Sequence, residues 1–226
     1  MRVSDALGKE MMRPTLLTRL RKPGAPLPFR PRRADDMGMP ALQEKRWTAE
    51  EVRAMQDQDP HHRYQVVDGE LLVSPSPVMR HQACFTELVY LFVHYLRSSL
   101  ACEVFAGPGE VSPDPYTVVQ PDVLVNALQD GRRAESWDTS GPLLLAIEVL
   151  SPSNARFDRV QKRGKYLAMG AEYWIVDLDA RVFEVWQPGS PQPVIEDRQV
   201  EWTAPEAGDA LTLKLDSFFR RVLRES

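Results

Sequence analysis

Cysteine and long apolar segments are scarce in this chain of 226 residues, and each scarcity excludes a class of protein. Its two cysteines, Cys84 and Cys102, form no metal-binding motif and favour reduced, packed thiols over a disulfide framework. The apolar runs are far shorter than the ~20 residues of a membrane-spanning helix, so we expect no membrane segment. The N-terminal residues also lack the apolar stretch of a secretory signal, and the expected compartment is cytoplasmic.

Charge is distributed unevenly along the chain. Residues 1–46 contain 11 lysines and arginines against 5 acidic residues, whereas the remaining 180 residues contain 17 basic and 27 acidic side chains. Because the first segment is also rich in proline and shows no periodicity, we expect residues 1–45 to form a disordered basic extension. Two interpretations of it stay open: a nucleic-acid-binding arm, or residues upstream of a natural start at Met37 or Met39.

The chain of 226 residues, with 43% hydrophobic and 27% charged side chains, has the composition of one soluble domain with a substantial core, which we expect to span residues 46–226. Hydrophobic periodicity predicts helices near 48–55, 76–99, 156–169 and 216–223, and strands near 64–67, 70–73, 102–106, 118–125, 143–150, 172–177, 182–186, 194–202 and 211–214. This order predicts an α/β (α+β) domain whose mixed central sheet is flanked by helices, with an N-terminal hairpin and C-terminal antiparallel strands.

Local signals support three of these elements. Thr48 followed by Glu51 fits a capping box at the start of the first helix. Asp68-Gly69 between two short apolar runs is typical of a type I′ hairpin turn. Ser76 is placed to cap the long second helix. The chain should therefore begin its folded part with a helix, a hairpin and a second helix.

Two acidic residues stand inside apolar runs. Glu148 is the only charged residue in 143–150, and Asp122 lies near the middle of 118–125. Removing an ionised carboxylate from water costs several kcal/mol, so a buried acid is usually paired, hydrogen-bonded or bound to a metal. Two such acids suggest one site.

The helix predicted at 156–169 adds charged residues to this picture. At 100° per residue, Asp158, Lys162, Lys165 and Tyr166 fall on one face, which can overlook the end of the Glu148 strand. An ordinary ion pair on a solvated helix, worth ~0.2–0.5 kcal/mol, is the alternative explanation. Residues 156–165 contain five basic side chains against one acid, which makes them DNA-binding candidates; beside the two lysines these are Arg156, Arg159 and Arg163.

An ordered set of short motifs carries a family resemblance over roughly residues 46–222. The motifs are Asp68-Gly69-Glu70, Ser74-Pro75-Ser76-Pro77 with His81, Pro121-Asp122, Glu148-Val149-Leu150-Ser151-Pro152-Ser153, Asp158 with Lys162 and Tyr166, and the run 170–177. Together they resemble the Uma-two family of restriction endonucleases. The resemblance implies the PD-(D/E)XK nuclease fold, in which two sheet acids bind Mg²⁺ and a lysine assists hydrolysis of a DNA phosphodiester.

Carried over to this chain, the resemblance makes Asp122 and Glu148 the metal-binding catalytic acids. The superfamily places its lysine two residues after the second acid, but Leu150 occupies that position here. Lys162 is the expected replacement, since it keeps the family's spacing between Asp158 and Tyr166. Lys165 and Gln161 are the alternatives on nearby faces. Gln65, where relatives often have Glu, is a second departure.

Other polar residues have weaker claims. His81 and Cys84 are one helical turn apart on the stripe expected to pack inward, so core packing is the simpler interpretation, although His81 can still border the site. Glu70 begins a hairpin strand and is expected to be an exposed acid or, alternatively, a group supporting the metal ligands.

Oxygen ligands favour a hard cation, Mg²⁺ or Mn²⁺, and the lack of a Cys or multi-His cluster argues against zinc. The expected function is a metal-dependent DNA endonuclease, with DNA as partner and a homodimer left open. An inactive nuclease fold retained as a nucleic-acid-binding or interaction module is the main alternative, because the strand lysine is missing. A glycosidase is disfavoured, because no carbohydrate-stacking aromatics lie near either acid.

Overall fold

A computed structural model describes residues 45–59 and 61–225. The expectations for the N-terminal extension, including both alternative starts, lie outside these residues. The helices are α1 (Ala49–Gln58), α2 (Met79–Leu96), α3 (Arg163–Ala168) and α4 (Leu215–Leu223), with a 3-10 turn at Trp137–Thr139 and a π-helical segment at Phe157–Lys162. The strands are β1 (Arg63–Val67), β2 (Glu70–Ser74), β3 (Cys102–Ala106), β4 (Val111–Asp114), β5 (Thr117–Val119), β6 (Val123–Ala127), β7 (Leu143–Val149), β8 (Glu172–Asp177), β9 (Val182–Trp186), β10 (Val194–Glu196), β11 (Gln199–Trp202) and β12 (Leu211–Lys214).

The central sheet has six strands in the order β10-β9-β8-β7-β6-β3. Strands β7 and β8 are parallel, while their neighbours pair antiparallel, which confirms the predicted mixed sheet. A parallel pair needs a crossover connection, and the π-helical segment with α3 supplies it. No helix within 45–59 or 61–225 is long and apolar enough to cross a membrane.

Strand β7 separates two apolar clusters on opposite faces of this sheet. Leu145, Ile147 and Val149 belong to the cluster that includes side chains of α2 and α4. Ala146 belongs to the opposite cluster, together with Phe157 and Tyr166 of the crossover helix. Because side chains alternate along a strand, Glu148 lies on the Ala146 face, beneath the crossover helix. The buried acid is therefore covered by the helix predicted to overlook it.

The N-terminal part follows its local signals. Thr48 and Glu51 form the expected capping box of α1, with both reciprocal hydrogen bonds present. Strands β1 and β2 pair antiparallel around Asp68 and Gly69, whose φ angles are +53° and +89°. Positive φ at both central residues is the type I′ geometry, so this prediction is confirmed. The hairpin joins a separate four-stranded sheet in the order β2-β1-β5-β4.

Two predictions about element boundaries were wrong. The run 118–125 is split into β5 and β6, which belong to different sheets, because Pro121 lacks the amide hydrogen that a continuous strand would donate. Helix α2 begins at Met79 with Val78 as its N-cap, not at Ser76. The Ser76 hydroxyl instead donates to the carbonyl of His61. The break before β6 leaves Asp122 at the end of the central sheet.

Candidate active site

Asp122 stands opposite Glu148 at the end of the paired strands β6 and β7. Val123 pairs with Ile147, and continuing this antiparallel register by one residue brings the two acids face to face. Both residues are about 3% exposed. The backbone amide of Val149 donates to Oδ2 of Asp122 at 2.8 Å, which fixes the carboxylate against the neighbouring strand.

Two basic side chains contact the Asp122 carboxylate from distant parts of the chain. Nη1 of Arg63 lies 3.1 Å from Oδ1 of Asp122, and Nε2 of His81 lies 3.2 Å from Oδ2. Burial alone would raise the pKa of Asp122, but the contacts of His81, Arg63 and the Val149 amide outweigh it and hold that pKa below its ordinary value. Asp122 is therefore ionised at neutral pH.

Glu148 is enclosed by side chains of the crossover helix. Nζ of Lys162 lies 2.9 Å from Oε1 of Glu148, and the Tyr166 hydroxyl donates to the same oxygen at 3.1 Å. Among the described residues, none donates a hydrogen bond to Oε2. Burial raises the pKa of Glu148 to about 8; Lys162 opposes this rise, and the nearby Asp158 and Asp122 carboxylates reinforce it.

Lys162 also contacts a second carboxylate. Its Nζ lies 3.0 Å from Oδ1 of Asp158, and its side chain is only 1% exposed. Burial would lower the pKa of Lys162, but the two adjacent carboxylates raise it, so the ammonium stays charged. One ammonium cannot compensate two buried carboxylates, so the retained proton belongs to the Glu148–Asp158 pair as a unit. The cluster of Glu148, Asp158 and Lys162 therefore contains two acidic groups and one positive charge.

The crossover helix departs from the regular α-helix assumed in the sequence analysis. Its first part is π-helical, and only the residues from Arg163 onwards are α-helical. Asp158, Lys162 and Tyr166 still converge on the Glu148 side. Lys165 does not, because its Nζ lies 2.6 Å from Asp68 and 3.1 Å from Asp114. A π-turn winds more residues per turn, so positions inferred from 100° steps shift around the axis.

The other residues singled out by sequence lie further from the acids. Nε2 of Gln161 lies 2.5 Å from Oε2 of Glu70, which is exposed as expected. Arg159 pairs with Glu184 and Asp177 on strands β9 and β8.

Two more arginines complete the set of DNA-binding candidates. The guanidinium of Arg163 lies 4.5 Å from the centroid of the Trp186 ring. Arg156 is exposed. Of the three candidates, Arg159 and Arg163 are thus engaged with strands β8 and β9, and neither contacts Asp122 or Glu148.

The sequence did not single out Arg63, and it left two interpretations of His81. Arg63 carries no local signal, since its contact with Asp122 spans 59 positions. For His81 the alternatives were core packing with Cys84 or a place beside the acids; Cys84 packs in the core, whereas Nε2 of His81, in the first turn of α2, contacts Asp122. Gln65, a departure from the family pattern, is fully buried and accepts a hydrogen bond from the Gln120 amide at 2.8 Å, so it supports the turn before Asp122.

A cavity of about 440 Å³ lies next to the side chains that contact Asp122. Arg63 and His81 form part of its wall, so the two side chains that contact Asp122 also face the cavity. Its other lining residues include His61, His62, Arg80, Ser151 and Asn154. A larger cavity of about 650 Å³, between α2 and β3, is lined by none of the residues that contact Asp122 or Glu148. Arg63 and His81 therefore stand between the 440 Å³ cavity and the Asp122 carboxylate, which does not itself line the cavity.

The comparison with protein-family models gives the class of protein to which the chain belongs. The family model described as "Putative restriction endonuclease", Uma2, matches residues 49–216. The chain belongs to this family, and the resemblance found in its motifs is confirmed.

A solved structure agrees with this assignment. The crystal structure titled "a putative nuclease belonging to DUF820", from Anabaena variabilis, matches with a TM-score of 0.58 at 18% identity, covering 71% of this chain and 91% of that chain. At this identity the match establishes a shared fold. The comparison with curated proteins gives no significant match.

Proposed function

We propose that the protein is a metal-dependent endonuclease that hydrolyses phosphodiester bonds in DNA, with Asp122, Glu148 and Lys162 at its catalytic centre. One observation carries the proposal: a buried ammonium lies 2.9 Å from the carboxylate of Glu148, which stands opposite Asp122 on the adjacent strand. Membership of the Uma2 family supports the reaction class.

The carboxylates fit Mg²⁺ or Mn²⁺ as a site of few protein ligands. Within 45–59 and 61–225, no group of three or more His, Cys, Asp or Glu side chains is placed to hold a metal. Mg²⁺ does not require such a group, because it is commonly bound by one or two carboxylates, water and substrate phosphates. Burial raises the pKa of Glu148, and the nearby Asp158 and Asp122 carboxylates add to this rise, so a cation bound here would favour the ionised form of Glu148. Asp122 and Glu148 would hold the ion.

Such an ion, when bound, supplies a more acidic water and neutralises charge on the phosphate. The chain supplies fixed groups around it. Lys162 holds its proton at Nζ, so it acts as a fixed positive charge and not as a general base. Asp158 and Tyr166 keep the Lys162–Glu148 pair in place from the same helix. Lys162 thus reaches Glu148 from the crossover helix and takes the role of the strand lysine, whose usual position is occupied here by Leu150.

Cleavage of supercoiled plasmid DNA tests the proposal. Wild-type protein should nick or linearise the plasmid with Mg²⁺ or Mn²⁺ and not with EDTA, whereas Asp122→Asn and Glu148→Gln should lose activity. Glu184→Gln is the matched control, since it neutralises another buried acid of the same sheet that pairs with Arg159. Equal cleavage by wild type and both active-site variants would refute the assignment.

A second candidate is DNA binding without hydrolysis. It is favoured by Leu150 at the usual lysine position and by the near-complete enclosure of Lys162. Metal-independent binding of a labelled duplex, combined with no cleavage under any metal condition, would select this function over the endonuclease.

A further inference from the structure

Arg63 contacts one of the two carboxylate oxygens of Asp122. Oδ2 is fixed by the Val149 amide at 2.8 Å and contacts His81 at 3.2 Å. Oδ1 contacts Nη1 of Arg63 at 3.1 Å. A backbone amide within β7 cannot swing away, but a long arginine side chain can. Oδ1 is therefore the oxygen that becomes free when a partner of Asp122 leaves.

The surroundings of Arg63 give it an alternative position. Its side chain is 28% exposed, against 4% for Asp122, and it lies on the wall of the 440 Å³ cavity. Its second hydrogen bond, to the Gln120 carbonyl, is long at 3.4 Å. A guanidinium binds phosphate oxygens through two parallel hydrogen bonds, a geometry that lysine cannot match. A DNA phosphate entering the cavity would offer Arg63 a new partner.

We propose that Arg63 is an exchangeable partner of Asp122. Without metal, it neutralises the carboxylate; when cation and DNA bind, it leaves Oδ1 to the cation and contacts a phosphate of the DNA. This inference rests on the proposed function and adds a positioning residue to it. Because each ligand takes one member of the Arg63–Asp122 pair, cation and DNA must strengthen each other's binding.

Calorimetric titration with Mn²⁺, in the absence of DNA, tests the competition. Arg63→Met removes the competing charge-assisted hydrogen bond and should bind Mn²⁺ about tenfold more tightly than wild type. Arg63→Lys keeps the charge but not the fork of donors, and should be intermediate. Arg80→Met is the matched control, because Arg80 lines the same cavity but pairs with Asp179; it should leave the Mn²⁺ affinity nearly unchanged.

Fluorescence anisotropy of a labelled DNA duplex, in EDTA and in Ca²⁺, tests the exchange. Wild type should bind DNA more tightly with Ca²⁺, and Arg63→Met should lose most of that gain while matching wild type in EDTA. Unchanged Mn²⁺ affinity in Arg63→Met, or the same loss of DNA affinity in EDTA and Ca²⁺, would overturn the exchange.

The same titrations distinguish a failure of the proposed function from a failure of the exchange alone. If wild type binds no Mn²⁺, or if Asp122→Asn binds Mn²⁺ as well as wild type does, both the metal site and the exchange are wrong. If wild type binds Mn²⁺ through Asp122 and only the Arg63 variants behave unexpectedly, the exchange alone is wrong.

Discussion

Asp122 and Glu148 face each other on adjacent strands, yet the side chains that contact them differ in their exposure to solvent. Asp122 is held by Arg63 and His81, which line an open cavity. Glu148 is held by Lys162 and Tyr166, which are buried under the crossover helix. Both acids are buried, but the partners of Asp122 face a cavity and Arg63 is 28% exposed, whereas the partners of Glu148 are enclosed.

This difference assigns separate roles to the two halves. Groups in contact with solvent can exchange partners at little cost, so ligands should arrive on the Asp122 side. Enclosed charges cannot rearrange without opening the helix above them, and a preorganised charge is what favours a developing transition state. Besides the share of Glu148 in holding the cation, the Glu148 side should therefore contribute fixed electrostatics, and its disruption should affect stability more strongly.

The largest expected effect is the loss of stability in Lys162→Met. This substitution leaves the Glu148 and Asp158 carboxylates without their ammonium, and breaking a buried pair in this way costs ~3–5 kcal/mol. Arg63→Met should lose clearly less, because its side chain is partly solvated and Asp122 keeps His81 and the Val149 amide. Urea denaturation in EDTA measures both. Equal losses of unfolding free energy in Lys162→Met and Arg63→Met would show that the Glu148 and Asp122 sides do not differ in their contribution to stability.

The next effect is a decline of stability with rising pH. Burial raises the pKa of Glu148 to about 8 from an ordinary value of 4.5, so between these values the folded state holds a proton that the unfolded chain has released. The free energy of unfolding should then fall by ~2–4 kcal/mol as pH increases across this window.

Denaturation in EDTA from pH 5 to 8.5 checks the decline. Glu148→Gln should flatten it while leaving Lys162 paired with Asp158, and Glu184→Gln should retain it. Identical slopes for wild type and Glu148→Gln would place the retained proton elsewhere.

A smaller effect is stabilisation by Mg²⁺. Binding to the folded state alone adds ~2.7 kcal/mol when the free ion is at a hundredfold its Kd. Thermal melts with Mg²⁺ and with EDTA should show this gain for wild type and Glu184→Gln, and its loss in Asp122→Asn and Glu148→Gln. A gain that survives in both active-site variants would show that Mg²⁺ binds at another place.

Local patterns in the sequence predicted the enclosed half of the site better than the open half. Glu148 was identified because a lone charge interrupts an apolar strand, and Lys162 and Tyr166 because they follow it at helical spacing on the next element. These signals are short-range. The apolar runs of β3, β8 and β9, bounded by turns, likewise gave their strand limits correctly.

The open half depends on contacts that leave no local pattern. Arg63 reaches Asp122 across 59 positions, and His81 does so from a helix whose stripe otherwise packs inward. The break at Pro121, which separates two sheets, was also hidden within a continuous apolar run. In the crossover helix, the π-helical segment displaced Lys165 from the face that regular periodicity had assigned to it.

The smallest expected effect is that of Lys165→Met, which is the sharpest comparison for Lys162→Met. Both residues are lysines of the crossover segment, three positions apart, and the substitution is identical. Lys165 pairs with Asp68 and Asp114 near the surface, where such ion pairs contribute ~0–1 kcal/mol. Lys165→Met should therefore unfold at nearly the wild-type urea concentration and retain plasmid cleavage. Lys162→Met should unfold at a lower urea concentration and lose plasmid cleavage. If Lys165→Met abolished cleavage and Lys162→Met preserved it, the catalytic lysine would be Lys165, which would have to leave Asp68 and Asp114 to reach the acids.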